Sequence, residues 1–251
     1  MEKLCLNCRN LVNHQFCPHC GQKTDSHRIT FKHFITHDLL HGVWHLERGI
    51  FYTIKEAVVR PEQAALDYIQ GKRIRYYNVF YLCLLLIGIN ARLVHYIRLC
   101  RPPESINSSD NTLFRFLSEN AKFLVFAIVP VLAANATIIF RRFRLNFAEH
   151  LIIGGFCLIG IILSSIFWYI FDFGGEALNS GAIGIFELVF ILILLLYPFW
   201  TYLNLTKNVY STLGRAYRVL LFYLILLLEL VILLLVITYL VTGTNRIYMS
   251  L

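Results

Sequence analysis

The sequence predicts a mostly α, helical multi-pass membrane protein with about five transmembrane helices, amphipathic helices beside the membrane and a small cysteine-cornered module at its N-terminus. Three observations predict it. Apolar residues make up 57% of the chain and charged residues 15%, against the ~45–50% apolar share of ordinary globular domains. That excess lies after residue 76, in runs near the ~20 residues needed to cross a ~30 Å hydrocarbon core. Two Cys-x-x-Cys pairs stand within the first twenty residues. The chain divides accordingly into a module at 1–27, a His-rich and basic juxtamembrane region at 28–76 and a membrane bundle at 77–251.

The module rests on Cys5-Leu6-Asn7-Cys8 and Cys17-Pro18-His19-Cys20-Gly21. Two such knuckles turn four thiolates toward one point, the donor set of a closed tetrahedral Zn²⁺ site with no open position for substrate. Gly21 suits the tight knuckle backbone, and Phe16 is expected to fill the little core. The reading is a zinc ribbon with one structural ion per chain, held by Cys5, Cys8, Cys17 and Cys20. Metal binding, worth roughly 10–16 kcal/mol in zinc-finger peptides, would supply its folding energy. Disulfides or a redox pair are the alternatives, disfavoured by cytosolic placement and by the lack of a surrounding βαβ pattern. Cys83, Cys100 and Cys157 lie in or beside spans and read as packing residues.

His33, His37, His41 and His45 then form an unbroken i, i+4 series, with Asp38 and Glu47 close by and Thr30 placed to cap their helix. Steps of four rotate about 40°, so the four imidazoles share one arc opposite Phe31, Ile35, Leu39 and Val43. His pairs at this spacing chelate metals, which makes His37, His41, His45 and Asp38 candidates for a second metal site or a catalytic one. One helix cannot bring four ligands to one ion, so Glu149 and His150 would complete the set. The plainer reading is an interfacial helix with a histidine polar face.

Pro61 suits a helix N1 position and Gly71 the C′ position, enclosing a short helix at 62–70 with Ala65, Leu66 and Ile69 on its apolar side. Lys72, Arg73, Arg75, Tyr76 and Tyr77 follow as a basic and aromatic belt. Headgroup anchoring explains it; a specific anionic lipid or substrate contact at Lys72, Arg73 and Arg75 is the sharper reading.

The spans are expected at about 78–98, 121–140, 148–171, 182–204 and 217–241. Three ionisable residues fall inside them: Arg92, Glu187 and Glu229. A charge at mid-bilayer costs about 2.5–3.5 kcal/mol on insertion scales. Pairing of Arg92 with a glutamate would relieve that cost, as would proton or ion handling. Gly154, Gly155, Gly160, Ser164 and Ser165 suggest close helix packing on the third span. Pro130 and Pro198 permit local breaks.

The formal charge of +8 reflects cations at span ends, which points to a bilayer with anionic headgroups rather than nucleic acid. Seventeen Lys and Arg fall on one side of the five-span arrangement and five on the other. The positive-inside rule then places the N-terminus in the cytosol and the C-terminus outside. No secretory signal is visible at Met1-Glu2-Lys3-Leu4-Cys5.

In combination these residues resemble a family of bacterial membrane proteins with an N-terminal zinc ribbon, a domain of unknown function (the 3667 group). The resemblance rests on Cys5-x-x-Cys8, Phe16-Cys17-x-x-Cys20-Gly21-Gln22 and Arg28-Ile29-Thr30. It continues through His37-Asp38, His41, His45, Arg48-Gly49, Thr53, Pro61, Tyr68-Ile69-x-Gly71-Lys72-Arg73, Tyr76 and Glu149-His150. Val79 departs from it, since a proline is expected after Asn78. The resemblance implies a bacterial inner membrane and a shared site within 28–76, and no activity.

Three functions are compatible with these residues. One is a non-catalytic factor that assembles, anchors or regulates a partner bound through the zinc module. Another is a membrane enzyme acting on a lipid or isoprenoid-type substrate where the histidines, Glu149-His150 and the basic belt converge. The third is a small transporter using Glu187 and Glu229, weakened by the absence of internal repeats. The topology is directly testable: a C-terminal reporter that works only outside the cytosol should be active, and a cytosol-only reporter silent.

Overall fold

The computed structural model describes residues 3–24, 28–30, 49–100, 127–174 and 180–248. The module carries a two-stranded antiparallel ribbon, β1 (Lys3–Leu4) and β2 (Leu11–Val12), with Leu4 opposite Leu11. A helical hairpin follows, α1 (Ile50–Val59) and α2 (Pro61–Ile69), then a 3-10 turn at Arg73–Arg75. The remaining helices are α3 (Val79–Cys100), α4 (Ala127–Ile139), α5 (Phe147–Gly174), α6 (Ser180–Leu205) and α7 (Thr212–Tyr248).

Among the described residues, four segments are long and apolar enough to cross a membrane: Arg73–Ile97, Phe147–Gly174, Leu188–Leu205 and Thr212–Leu240. They coincide with four of the five expected spans. Where the remaining one was expected stands the shorter apolar helix α4, with 121–126 outside the described residues.

Local chemistry explains the element ends. Asn78 caps α3, its side-chain oxygen accepting the Phe80 and Tyr81 N–H groups at 3.0 and 3.4 Å. Val79 therefore takes N1, where a proline also fits because that N–H has no helical partner. Asn146 and Glu149 form a reciprocal capping box on α5: Glu149 N–H donates to Asn146 Oδ1 at 2.9 Å and Asn146 N–H to Glu149 Oε2 at 2.8 Å. Pro61 opens α2, and Gly71, at φ +95°, takes the left-handed position past its end.

The core is built around α5, whose residues from Ala148 to Gly160 are all buried. Three of the glycines singled out in the sequence sit where neighbours come closest. A Cβ on Gly155 would lie 2.6 Å from Val79 on α3, one on Gly154 3.0 Å from Val129 on α4, and one on Gly160 2.5 Å from the Tyr197 ring on α6. Helices α3 and α5 run parallel, joined by Cys83 Sγ to the Gly155 carbonyl at 3.5 Å and by Asn90 to Ser165 at 2.6 Å.

The hairpin is part of this packing. Thr53 Oγ1 accepts the Tyr77 N–H at 2.7 Å, and Ala57, Ala64 and Ala65 are fully buried. At the hairpin tip the Tyr197 hydroxyl donates to the Ala57 carbonyl. Val58 lines a groove with Leu163 and Phe167. Gly160 stands thirteen residues into α5, which is about 20 Å along its axis. The hairpin thus reaches well down the bundle instead of lying across its end.

A methyl group at Gly160 must displace an aromatic ring that is hydrogen-bonded to the hairpin. Gly160→Ala should cost about 1–3 kcal/mol, the range for overpacked cores, measured by reversible unfolding in detergent. Gly88→Ala, with nothing within 4 Å of its Cβ position, should leave stability unchanged or raise it.

Candidate metal centre and the contacts that fasten it

Each Cys-x-x-Cys pair is closed by the same backbone hydrogen bonds. Arg9 N–H donates to Cys5 O at 2.9 Å and Cys5 N–H to Asn10 O at 2.8 Å; Gly21 N–H donates to Cys17 O and Cys17 N–H to Gln22 O, both at 2.8 Å. The residue after each second cysteine is left-handed, Arg9 at φ +62° and Gly21 at φ +74°. Glycine adopts this at little cost, whereas an L side chain strains it.

The four Sγ atoms all lie within 4.8 Å of one another, with Cys5–Cys20 at 3.6 Å and Cys8–Cys17 at 3.5 Å. Thiolates on a tetrahedral Zn²⁺ at ~2.3 Å stand about 3.8 Å apart, so the cage fits that ion closely. This is the sole cluster of metal-ligand type found among the described residues. Phe16 corrects the sequence expectation. It is 56% exposed, while Cys5, Val12 and Cys17 make the small core. The knuckles place the cysteines inward and leave no room for a ring among them.

The module is fastened to the bundle through the turn before α3. The Ile74 N–H donates to Gln22 Oε1 at 3.0 Å, and Arg75 donates to the Asn7 carbonyl at 3.3 Å. Gln22 is 4% exposed. Its backbone closes the second knuckle while its side chain reaches the membrane domain.

The basic belt has internal partners. Lys72 Nζ lies 2.6 Å from Asp67, which also accepts from Gln63 at 3.2 Å and from the Tyr76 hydroxyl at 3.5 Å. The Arg73 guanidinium sits 5.8 Å over the Tyr68 ring. Asp67, Gln63 and Gln22 did not stand out in the sequence, since each is one polar residue among many until the fold sets its partner.

Past the module, Arg28 clamps the start of α5. Its guanidinium donates twice to Glu149, at 2.8 Å each, and once to the Arg144 carbonyl at 2.6 Å. Asn146 donates to the Ile29 carbonyl at 2.9 Å, and Ile29 is 1% exposed. Glu149 is therefore engaged by a cation and a helix cap. His150, one residue on, is turned into the bundle beside Tyr202. The two do not converge on one point. His37, His41, His45 and Asp38 lie outside the described residues.

The intramembrane residues also separate. Asn135 on α4 donates to Glu229 on α7 at 2.6 Å, an amide contact between two helices that partners this glutamate. Arg92 is exposed on α3. The Glu187 side chain lies outside the described part.

Residues 47–87 match the model of the family described as "Protein of unknown function (DUF3667)", the group that the sequence resembles. The matched stretch holds the hairpin, the basic turn and the first part of α3. No curated protein and no solved structure matches the chain.

Glu149 is 2% exposed and Arg28 60%, so solvent screens the cation while the buried carboxylate, without it, keeps the Asn146 N–H. Arg28→Ala should lower stability by about 1–3 kcal/mol, the cost of a buried group left under-satisfied. Adding Glu149→Gln should recover part of that loss in a double-mutant cycle. A double-variant loss equal to the sum of the two single-variant losses would show that the pair is not coupled.

Proposed function

We propose that this protein is a non-catalytic membrane factor that presents a zinc-stapled module at the cytosolic face of a bacterial inner membrane and so anchors, assembles or regulates a protein partner. The observation that carries the reading is the four-sulfur cage joined to the membrane domain through Gln22–Ile74 and Asn7–Arg75. Four thiolates closing on one ion leave no coordination position for a reactant, so Cys5, Cys8, Cys17 and Cys20 would hold Zn²⁺ as a structural staple. Leu4, Leu6, Leu11 and Phe16 remain 48–60% exposed on a module with almost no core of its own. Exposed apolar groups on a rigid platform suit a protein contact. The excess of cations on this side supports its cytosolic placement and contact with anionic headgroups.

The enzyme reading asks the His stripe, Glu149, His150, Lys72 and Arg73 to meet around one pocket, and His37, His41 and His45 lie outside the described residues. Among the described residues, Glu149 is engaged by Arg28, His150 turns inward and Lys72 is bonded internally, an arrangement that favours the anchoring reading.

Metal analysis of the purified full chain should find one zinc per chain, falling toward zero in Cys17→Ser while the variant still inserts into membranes. Zinc well below one per chain in the wild type, or unchanged binding in Cys17→Ser, would overturn the assignment.

A further inference from the structure

A file of polar side chains runs between α5 and α6, apart from the metal module and the Arg28 clamp. His150 and Tyr202 are each 1% exposed, with ring centroids 6.3 Å apart and planes 21° from parallel. Among the described residues neither imidazole nitrogen has a hydrogen-bond partner, and neither does the Tyr202 hydroxyl. Two turns along α5, Cys157 lies beside Thr201 and within electrostatic reach of Tyr197, Tyr202 and Glu62. The file ends at Glu62, in the first turn of α2, whose Oε2 atom is buried and also lacks a partner.

Buried polar atoms are paired in more than ~90% of cases, and each exception calls for a water, an ion or a functional proton. Leaving one bare costs roughly 1–3 kcal/mol. Four such atoms along one helix seam are therefore a feature to explain. Phe140, just past α4, and Phe222 on α7 pack against Tyr202, with ring centroids at 5.2 and 5.0 Å, so the rings that cover it are apolar.

We propose that this seam is a hydrated proton path leading from His150 to the half-buried Glu62, whose carboxylate takes up and releases a proton. The step is a proton transfer with no redox change. A proton enters at water beside the imidazole, passes along water and the Tyr202 hydroxyl, and converts the Glu62 carboxylate to the acid; release reverses it. The groups facing Glu62 are Arg60 from the hairpin turn, Cys157 from α5 and Tyr197 from α6. Arg60 is held by Glu56, through contacts of 2.6 and 3.1 Å, which limits its hold on the Glu62 anion. Facing His150 are Glu149, tied to Arg28, and Tyr202. Tyr223 on α7 completes the charged and titratable neighbours of Tyr202. Burial, opposed by Glu62's own N–H and by Arg60, raises the Glu62 pKa above the ordinary carboxylate range.

The test uses the full chain in vesicles of phosphatidylethanolamine and phosphatidylglycerol. The probe is dicyclohexylcarbodiimide, an apolar reagent selective for protonated carboxyls, with modification read at Glu62 by peptide mass spectrometry. Glu62 should be modified at neutral pH, with modification falling about tenfold per pH unit above its pKa, and Glu62→Gln should remove it. After a jump in bath pH, His150→Phe combined with Tyr202→Phe should slow the change in the rate of Glu62 modification about tenfold or more while leaving the steady rate at each fixed pH unchanged. If that variant does not fold, Tyr202→Phe alone, which loses only the hydroxyl, is read the same way. No modification of Glu62, modification independent of pH, or an unchanged response to the jump would overturn the proposal.

Discussion

The structure depends on the close approach that three glycines of α5 allow. In hydrocarbon there is no hydrophobic gain from bringing two apolar helices together, so van der Waals fit and interhelical hydrogen bonds must hold a bundle. Gly155 lets Val79 seat against the α5 backbone, Gly154 admits Val129, and Gly160 admits the ring of Tyr197. The last contact reaches furthest, because the Tyr197 hydroxyl also holds the hairpin at the Ala57 carbonyl. A side chain at Gly160 would thus disturb α5, α6 and the hairpin together.

The upper end of α5 joins the membrane bundle to the N-terminal region. The capping box of Asn146 and Glu149 closes the helix with its own residues, and the same two side chains also bind Arg28 and Ile29. A second junction lies at the turn before α3, where Gln22 carries the fold of the cysteine module to the backbone of Ile74. A metal ion bound by the four cysteines would contribute folding free energy and would steady the Gln22 contact along with the knuckles.

Much of this was legible in the sequence because it follows local rules. The Cys-x-x-Cys spacing specifies the sulfur cage. Pro61 and Gly71 bracket the second helix of the hairpin, and Asn78 and Asn146 are cap residues by type. Glycine and serine on an apolar helix mark the packing seam. What escaped were contacts whose partners are distant in sequence. Arg28 and Glu149 stand 121 residues apart, and Asn135 and Glu229 stand 94 apart; no periodicity links either pair. Phe16 misled because an aromatic beside a cysteine suggests core, whereas a module this small places its sulfurs inward and the ring outside. The second helix of the hairpin was readable from Pro61 and Gly71, but the hairpin's depth along α5 is decided by the glycine seam and not by its own pattern.

The central claim is that the hairpin docks deep against α5 and α6. It is tested most directly by crosslinking Val58→Cys with Leu163→Cys, two positions that line one groove, with the native bundle cysteines replaced by serine or alanine. In intact membranes a short bifunctional thiol reagent should protect both cysteines together from a later maleimide mass tag. Val58→Cys alone should react slowly with a charged, membrane-impermeant reagent. A pair that never crosslinks, with Val58→Cys freely reactive toward the charged reagent, would contradict the account.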